Sequence, residues 1–209
     1  MKFLGDKSIS HRALMLASLC GGKSTIKNIS KGQDVISTIK CLKLCGIDIA
    51  CLENKIIIQG GTLTKPIAKL NCNNSGTSAR LLLGLLAGQK ISAALIGDSS
   101  LSSRPMERIA IPLGLMGSTI ENNNGKLPIK IKTDYLFGID YVQKISSAQV
   151  KSSILLAGLG ANGITKVTEE YLSRNHTEIM MKKLGIDIFM ENNIISVKKL
   201  NNKLDPFEM

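Results

Sequence analysis

Leu44-Cys45-Gly46-Ile47-Asp48-Ile49 returns twice along the chain, as Leu115-Met116-Gly117-Ser118-Thr119-Ile120 and as Lys183-Leu184-Gly185-Ile186-Asp187-Ile188. The three glycines stand about 70 residues apart, a period too long for the common solenoids. Helix-like spacing precedes each glycine: Val35, Ile36, Ile39, Leu42 and Leu44; then Met106, Ile109, Ile111, Leu113 and Leu115; then Ile179, Met180 and Leu184. Each glycine falls where a helix stops and the backbone needs a positive φ. Strand-like runs follow, among them Lys55–Ile58 and Ile194–Val197.

The units also open alike. A polar turn leads into an apolar helix at Gly5–Leu19, at Asn73–Gly88 and at Ser146–Leu159. Each unit therefore reads helix, strand, helix, strand, strand. The prediction is an α/β chain of three repeats with no linker between them, packed around one shared core as a single domain over residues 1–209. The N-termini of the three first helices should then meet on one rim, each offering backbone N–H groups without intrahelical partners.

The first of these openings, Gly5-Asp6-Lys7-Ser8-Ile9-Ser10-His11-Arg12, is the richest in chemistry. A helix start of this kind attracts anions through its free N–H groups and its positive dipole end. Lys7 adds a compact charge, and Arg12 adds a planar fork suited to phosphate or carboxylate.

Composition narrows the field. The 209 residues are 44% hydrophobic, which fits a globular chain with an ample core. Lys plus Arg number 27 against 16 acids, a net charge of +11 that favours an anionic partner or reflects a compositional bias toward lysine. Aromatic residues are 3% and Trp is absent, which leaves little for base stacking, and no run of basic residues resembles a nucleic-acid tail. The five cysteines, Cys20, Cys41, Cys45, Cys51 and Cys72, lack C-x-x-C spacing; with only two histidines they read as free thiols in a reducing cytoplasm, not a zinc site. Leu19-Cys20 follows an apolar run too short for a signal peptide, and no stretch reaches the roughly 18 apolar residues of a membrane span.

Two motif matches fail on context. Gly158-Leu159-Gly160-Ala161-Asn162-Gly163 spells G-x-G-x-x-G, but it follows a helix and precedes a strand, the reverse of a dinucleotide fingerprint; its glycines read as helix termination. Gly22-Lys23-Ser24 resembles the end of a P-loop, yet Ala17 stands where the first glycine belongs.

Five segments, in order, resemble the 5-enolpyruvylshikimate-3-phosphate synthase family. They are Gly5–Arg12, Asn74-Ser75-Gly76-Thr77-Ser78-Ala79-Arg80, Asp98–Met106 (with Arg104-Pro105-Met106 at its end), Ser147-Ala148-Gln149-Val150-Lys151-Ser152, and Ser173–Glu178. The related UDP-N-acetylglucosamine enolpyruvyl transferases are disfavoured, since their opening reads G-A-K-N. The resemblance implies an inside-out α/β barrel of βαβαββ-like units, the enolpyruvyl transferase fold. It implies transfer of the enolpyruvyl group of phosphoenolpyruvate to the 5-hydroxyl of shikimate 3-phosphate, with release of phosphate and no metal or organic cofactor.

Matched motif by motif, Lys7 is expected to touch both substrates and to take part in proton transfer. Ser8, Arg12, Ser147, the backbone of Ala148, and Ser173 are expected to hold shikimate 3-phosphate. The backbone of Gly76 and the guanidinium of Arg104 are expected to grip phosphoenolpyruvate, with Gln149 bridging the two ligands. Asp34, Asn74 and Arg80 are expected to orient neighbours. His11 and His176 match no catalytic role and read as structural or capping groups.

The family pattern extends past both ends of this sequence. Members carry a strand ahead of the opening motif, where Met1–Leu4 stands here with Leu4 in place of a usual proline, and a second domain that supplies an aspartate base, arginines and a late lysine. The expectation is therefore the shikimate 3-phosphate-binding half of a two-domain transferase, inactive alone. The alternatives are a non-catalytic anion-binding domain of the same fold and, more distantly, an RNA-related relative of the RNA 3′-phosphate cyclases, which share the repeat architecture.

Overall fold

Residues 5–209 are described by a computed structural model; the Met1–Leu4 segment expected as the remnant of a strand lies outside them. The first unit contains α1 (Lys7–Ser18), β1 (Lys23–Lys27), α2 (Gln33–Leu44), β2 (Asp48–Cys51) and β3 (Lys55–Gln59). The second contains β4 (Leu70–Asn71), α3 (Gly76–Gly88), β5 (Ala93–Ile96), α4 (Ser99–Ser102), α5 (Glu107–Leu115), β6 (Thr119–Asn123) and β7 (Lys126–Lys132). The third contains β8 (Asp140–Gln143), α6 (Ala148–Gly158), β9 (Ile164–Glu169), α7 (His176–Lys183), β10 (Ile188–Glu191) and β11 (Ile194–Lys198). The expected helix and strand order holds in all three. The second and third units add a short leading strand, and the second adds the single turn α4.

The repeating glycines sit where the spacing placed them. Gly46, Gly117 and Gly185 follow α2, α5 and α7 with φ of 84°, 109° and 73°, values a side chain rarely tolerates. The first helices share one device at their starts: Asp6, Ser75 and Ser147 each accept the N–H three residues on, from Ile9, Ser78 and Val150.

Each unit makes one sheet, and the sheets have the same plan. In the orders β4-β5-β7-β6 and β8-β9-β11-β10, the first pair is parallel and the other two pairs are antiparallel. The first sheet runs β1-β3-β2, and residues 204–208 lie parallel to β1 through bridges from Leu204 to Cys20 and from Glu208 to Thr25. They occupy the place that β4 and β8 hold in the other sheets. The chain thus returns to its first unit, and Thr25 N–H donates to the Phe207 carbonyl at 2.9 Å.

The sheets lie outside and the helices inside. Strands alternate exposed and buried residues, as in Lys126–Lys132, where Leu127, Ile129 and Ile131 face inward. Of the 13 residues of α3, all but Thr77 and Arg80 are buried, and Leu81, Leu82, Leu83, Leu85 and Leu86 are fully so. At about 2 kcal/mol per leucine, those five side chains stabilise the fold by up to about 10 kcal/mol before chain entropy is counted.

Helices α3 and α6 cross in close contact because glycines line the crossing. A Cβ on Gly84 would fall 2.1 Å from the Ser153 carbonyl oxygen, and one on Gly160 only 1.7 Å from that of Gly88. Gly160 is therefore required for backbone approach; Gly163, at φ 90°, is the member of the G-x-G-x-x-G run that turns the chain into β9. Gly22-Lys23-Ser24 enters a strand rather than a helix, so its P-loop likeness carries no phosphate cradle.

Candidate functional site

The first turns of α1, α3 and α6 are tied together by side chains. Arg12 on α1 reaches across to α6 and α7. Its Nε donates to Thr177 Oγ1 (2.6 Å), its Nη1 to Ser8 Oγ (2.7 Å) and the Ser8 carbonyl (3.0 Å), and its Nη2 to Ser152 Oγ (2.7 Å) and the Ala148 carbonyl (3.3 Å). Only 3% of Arg12 is exposed, so its fork is occupied by protein groups and turned inward. Burial lowers its pKa to about 10, against the opposing pull of Glu178 and Asp6, and Arg174 lowers it further; the guanidinium stays charged at neutral pH.

Gln149 joins α6 to α3. Its Oε1 accepts from Arg80 Nη1 and its Nε2 donates to Thr77 Oγ1, each at 2.9 Å. Beside them Arg104 Nη2 donates to Asn74 Oδ1 (2.6 Å) and to Ser100 Oγ (3.2 Å), and Asn74 Nδ2 donates to Asp98 Oδ2 (2.8 Å). The Asp98 carboxyl is held below its ordinary range by the Leu101 N–H and by Asn74. Gly76 lies beneath two guanidiniums: a Cβ there would be 2.7 Å from Arg80 Nη1 and 3.4 Å from Arg104 Nη1. Burial depresses the Arg80 pKa, and the charges of Arg104 and Arg108 depress it further. An anion arriving over Gly76 relieves that repulsion.

Lys7 stands apart from both groups. Its Nζ donates to Asp34 Oδ2 at 2.7 Å, and both side chains remain partly exposed. Ser147 caps α6, and the Ala148 carbonyl meets Arg12, while Ser173 Oγ donates to Glu169 Oε1 at 2.5 Å. The structure thus gathers Ser8, Arg12 and Ala148 at one junction. It gathers Asn74, Gly76, Arg80, Arg104 and Gln149 at a second, with α6 joining the two. Among the expected residues Lys7 bonds only Asp34.

The two histidines differ: His11 fits the structural reading, whereas His176 caps no helix and faces Ser8. His11 is fully buried, its Nδ1 is 2.7 Å from Thr38 Oγ1, and desolvation lowers its pKa to about 4. His176 begins α7, with Nδ1 3.3 Å from Ser8 Oγ. Of the five thiols, Cys20, Cys41, Cys45 and Cys72 are buried and all five are free; burial pushes Cys45 up to about 12. Part of the lysine charge lies away from the rim. Lys65, Lys69, Lys130 and Lys132 line a depression of about 690 Å³ that shares no residue with the helix-start rim.

Sequence reasoning passed over Lys151, Glu169 and Glu178, which form a buried ion triad under the rim. The signal present was a lone cation inside an apolar helix run, which demands a buried acid. Its partners lie 18 and 27 positions away on other elements, and spacing alone does not find them.

Comparison with known proteins shows the family. A family model for EPSP synthase (3-phosphoshikimate 1-carboxyvinyltransferase) matches residues 1–206. A 3-phosphoshikimate 1-carboxyvinyltransferase of Alkaliphilus metalliredigens is 49% identical over 200 residues, covering 93% of this chain and 47% of the relative. That of Thermodesulfovibrio yellowstonii is 45% identical over 210 residues, covering 98% and 49%. The EPSP synthase from Acinetobacter baumannii superposes with a TM-score of 0.94 at 41% identity, over 100% of this chain and 49% of that one. The chain spans about half the length of the curated relatives it matches, and its α/β architecture is the enolpyruvyl transferase fold. With that match running through all three repeats, this chain belongs to the EPSP synthase (3-phosphoshikimate 1-carboxyvinyltransferase) family.

Proposed function

We propose that residues 1–209 form one domain that supplies the shikimate 3-phosphate-binding half of an enolpyruvyl transferase active in the shikimate pathway of aromatic amino-acid biosynthesis. The observation that carries this reading is the convergence of three helix starts, cross-tied by Arg12 and Gln149 and ringed by cations. Orphan N–H groups, dipole ends and guanidiniums then act together on phosphorylated substrates. In this reading Ser8, Ser147, Ala148 and Ser173 hold shikimate 3-phosphate, and Arg12 joins them by exchanging one of the protein acceptors that occupy its fork for the ligand. Gly76 and Arg104 hold phosphoenolpyruvate, with Lys7 and Gln149 between the two. Asp34, Asn74 and Arg80 orient Lys7, Arg104 and Gln149, as their hydrogen bonds support.

The chemistry joins the 5-oxygen of shikimate 3-phosphate to C2 of phosphoenolpyruvate as the hydroxyl proton passes to a base, while C3 takes a proton from an acid. Loss of that proton and of phosphate then restores the double bond. A positioned acid and base in a closed cleft are needed. Lys7 is the acid this chain offers; a second domain supplies the base and closes the cleft. The reading includes a cytoplasmic location, supported by five unpaired cysteines.

Phosphate release from the two substrates, assayed with and without a second-domain polypeptide, tests the proposal. Turnover is expected only with both pieces, and the chain alone is expected to bind shikimate 3-phosphate. Turnover by the chain alone removes the half-site claim. Absence of binding at millimolar ligand removes the site assignment and leaves an anion-binding domain of the same fold.

A further inference from the structure

Beneath the rim lies a charged group with no part in the reading so far. Lys151, in the first turns of α6, is 1% exposed, and its Nζ lies 2.6 Å from Glu169 Oε2 and 2.6 Å from Glu178 Oε1. Glu169 ends β9 and Glu178 is the third residue of α7. One ammonium therefore pins both ends of the turn formed by residues 170–175. That turn carries Ser173. Glu169 Oε1 accepts from Ser173 Oγ at 2.5 Å, and its Oε2 accepts the Ser173 N–H at 3.4 Å. On the other side Thr177, the neighbour of Glu178, accepts from Arg12 Nε and lies 2.6 Å from Ser152 Oγ. Glu178 Oε2 is buried without a hydrogen-bond partner, and the Glu178 charge opposes the burial that lowers the Arg12 pKa.

Stability is a poor reason for such a group. Burying three charges costs solvation, and an apolar replacement of similar volume is often neutral or stabilising. What the triad supplies is geometry. We propose that Lys151, Glu169 and Glu178 are positioning residues that set the 170–175 turn so that Ser173 and Arg12 meet one phosphorylated ligand together. The proposal rests on the reading of Ser173 and Arg12 as ligand contacts. A supporting set of this kind matters because small displacements of a binding group are costly.

The test compares the 209-residue chain with Lys151→Met and with the triple variant Lys151→Met/Glu169→Met/Glu178→Met. Three quantities are read: melting temperature, shikimate 3-phosphate affinity by calorimetry, and amide hydrogen exchange of residues 170–175. Lys151→Met leaves two buried carboxylates unpaired and should melt lower. The triple variant should recover the melting temperature, yet bind about tenfold more weakly and exchange about tenfold faster in the turn. Recovery of affinity and slow exchange together with melting temperature overturns the proposal, because the triad is then merely structural. Should the triple variant not fold, Glu169→Gln takes its place, since it keeps the shape and removes one charge. Unchanged exchange and affinity in that variant overturn the proposal equally. If the unaltered chain itself binds no shikimate 3-phosphate, the ligand reading fails, and the exchange comparison still decides whether the triad holds the turn.

Discussion

Arg12 and Thr177 stand 165 positions apart in the chain, and the guanidinium Nε donates to the threonine Oγ1 across 2.6 Å. The same guanidinium serves Ser8, Ala148 and Ser152. One side chain thus fastens the first unit to the third. Arg12→Ala should therefore lose stability as well as ligand. Its removal strands buried hydroxyls and takes one of the two cations near Glu178 away, leaving Lys151 alone to balance it, a cost of about 3 kcal/mol. Urea unfolding measures that loss, and shikimate 3-phosphate titration should show strong weakening at temperatures where the variant is still folded. Arg12→Lys keeps the charge without the fork and should fall between the two. An Arg12→Ala variant as stable as the parent contradicts the fastening role.

His11 gives the fold an acid limit. Its folded pKa is about 4 against an unfolded value of 6.5, because burial disfavours the imidazolium. The unfolded chain therefore binds more protons below pH 6.5, so the contribution is complete above that pH and fades as pH falls toward 4. The full difference amounts to about 3 kcal/mol, of which about 2 kcal/mol is lost between pH 7 and pH 5. His11→Asn should flatten that dependence when urea midpoints are compared at the two pH values. Equal slopes in parent and variant assign the acid sensitivity to other groups.

Two glycines on α3 should respond oppositely to alanine. At Gly84 the new Cβ meets the Ser153 backbone, which cannot yield without parting α3 from α6. Gly84→Ala should cost about 3 kcal/mol or more by overpacking. At Gly76 the obstacle is the end of the Arg80 side chain, which swings aside. Gly76→Ala should melt within a few degrees of the parent, yet bind phosphoenolpyruvate more weakly in the assembled enzyme, because Arg80 then leaves Gln149. Thermal melts and phosphoenolpyruvate KM values separate the two cases.

Much of this was legible where the physics is local. Gly46, Gly117 and Gly185 mark helix ends because a positive φ excludes most side chains, and the polar turns before α1, α3 and α6 mark starts, although which residue caps each helix came only from the structure. The rejection of the two phosphate-loop matches also stood on local order of helix and strand. Relations between distant segments were hidden. The two residues of β4 are too few to show a period, and the pairing of residues 204–208 with β1 has no local trace. Arg12 read as an open fork because sequence does not tell that Thr177 and Ser152 lie within its reach. The triad was concealed for the same reason: a buried lysine announces that it needs an acid and does not say which one.

Asp34 offers the cleanest separation of binding from stability. Its carboxylate holds Lys7 at 2.7 Å, and both side chains keep contact with solvent. An ion pair of this exposure contributes under about 1 kcal/mol to folding. It nevertheless restricts where the Lys7 ammonium rests above the start of α1, the place where the two substrates are proposed to meet. Asp34→Asn keeps the shape and a weaker acceptor, so Lys7 should wander. The expected outcome is an unchanged melting temperature, a shikimate 3-phosphate affinity reduced by about threefold, and a larger fall in kcat once a second domain is added, since proton transfer depends on orientation more steeply than binding does. A fall in melting temperature with kcat unchanged shows instead that Asp34 serves the fold and leaves Lys7 to be oriented by its substrates.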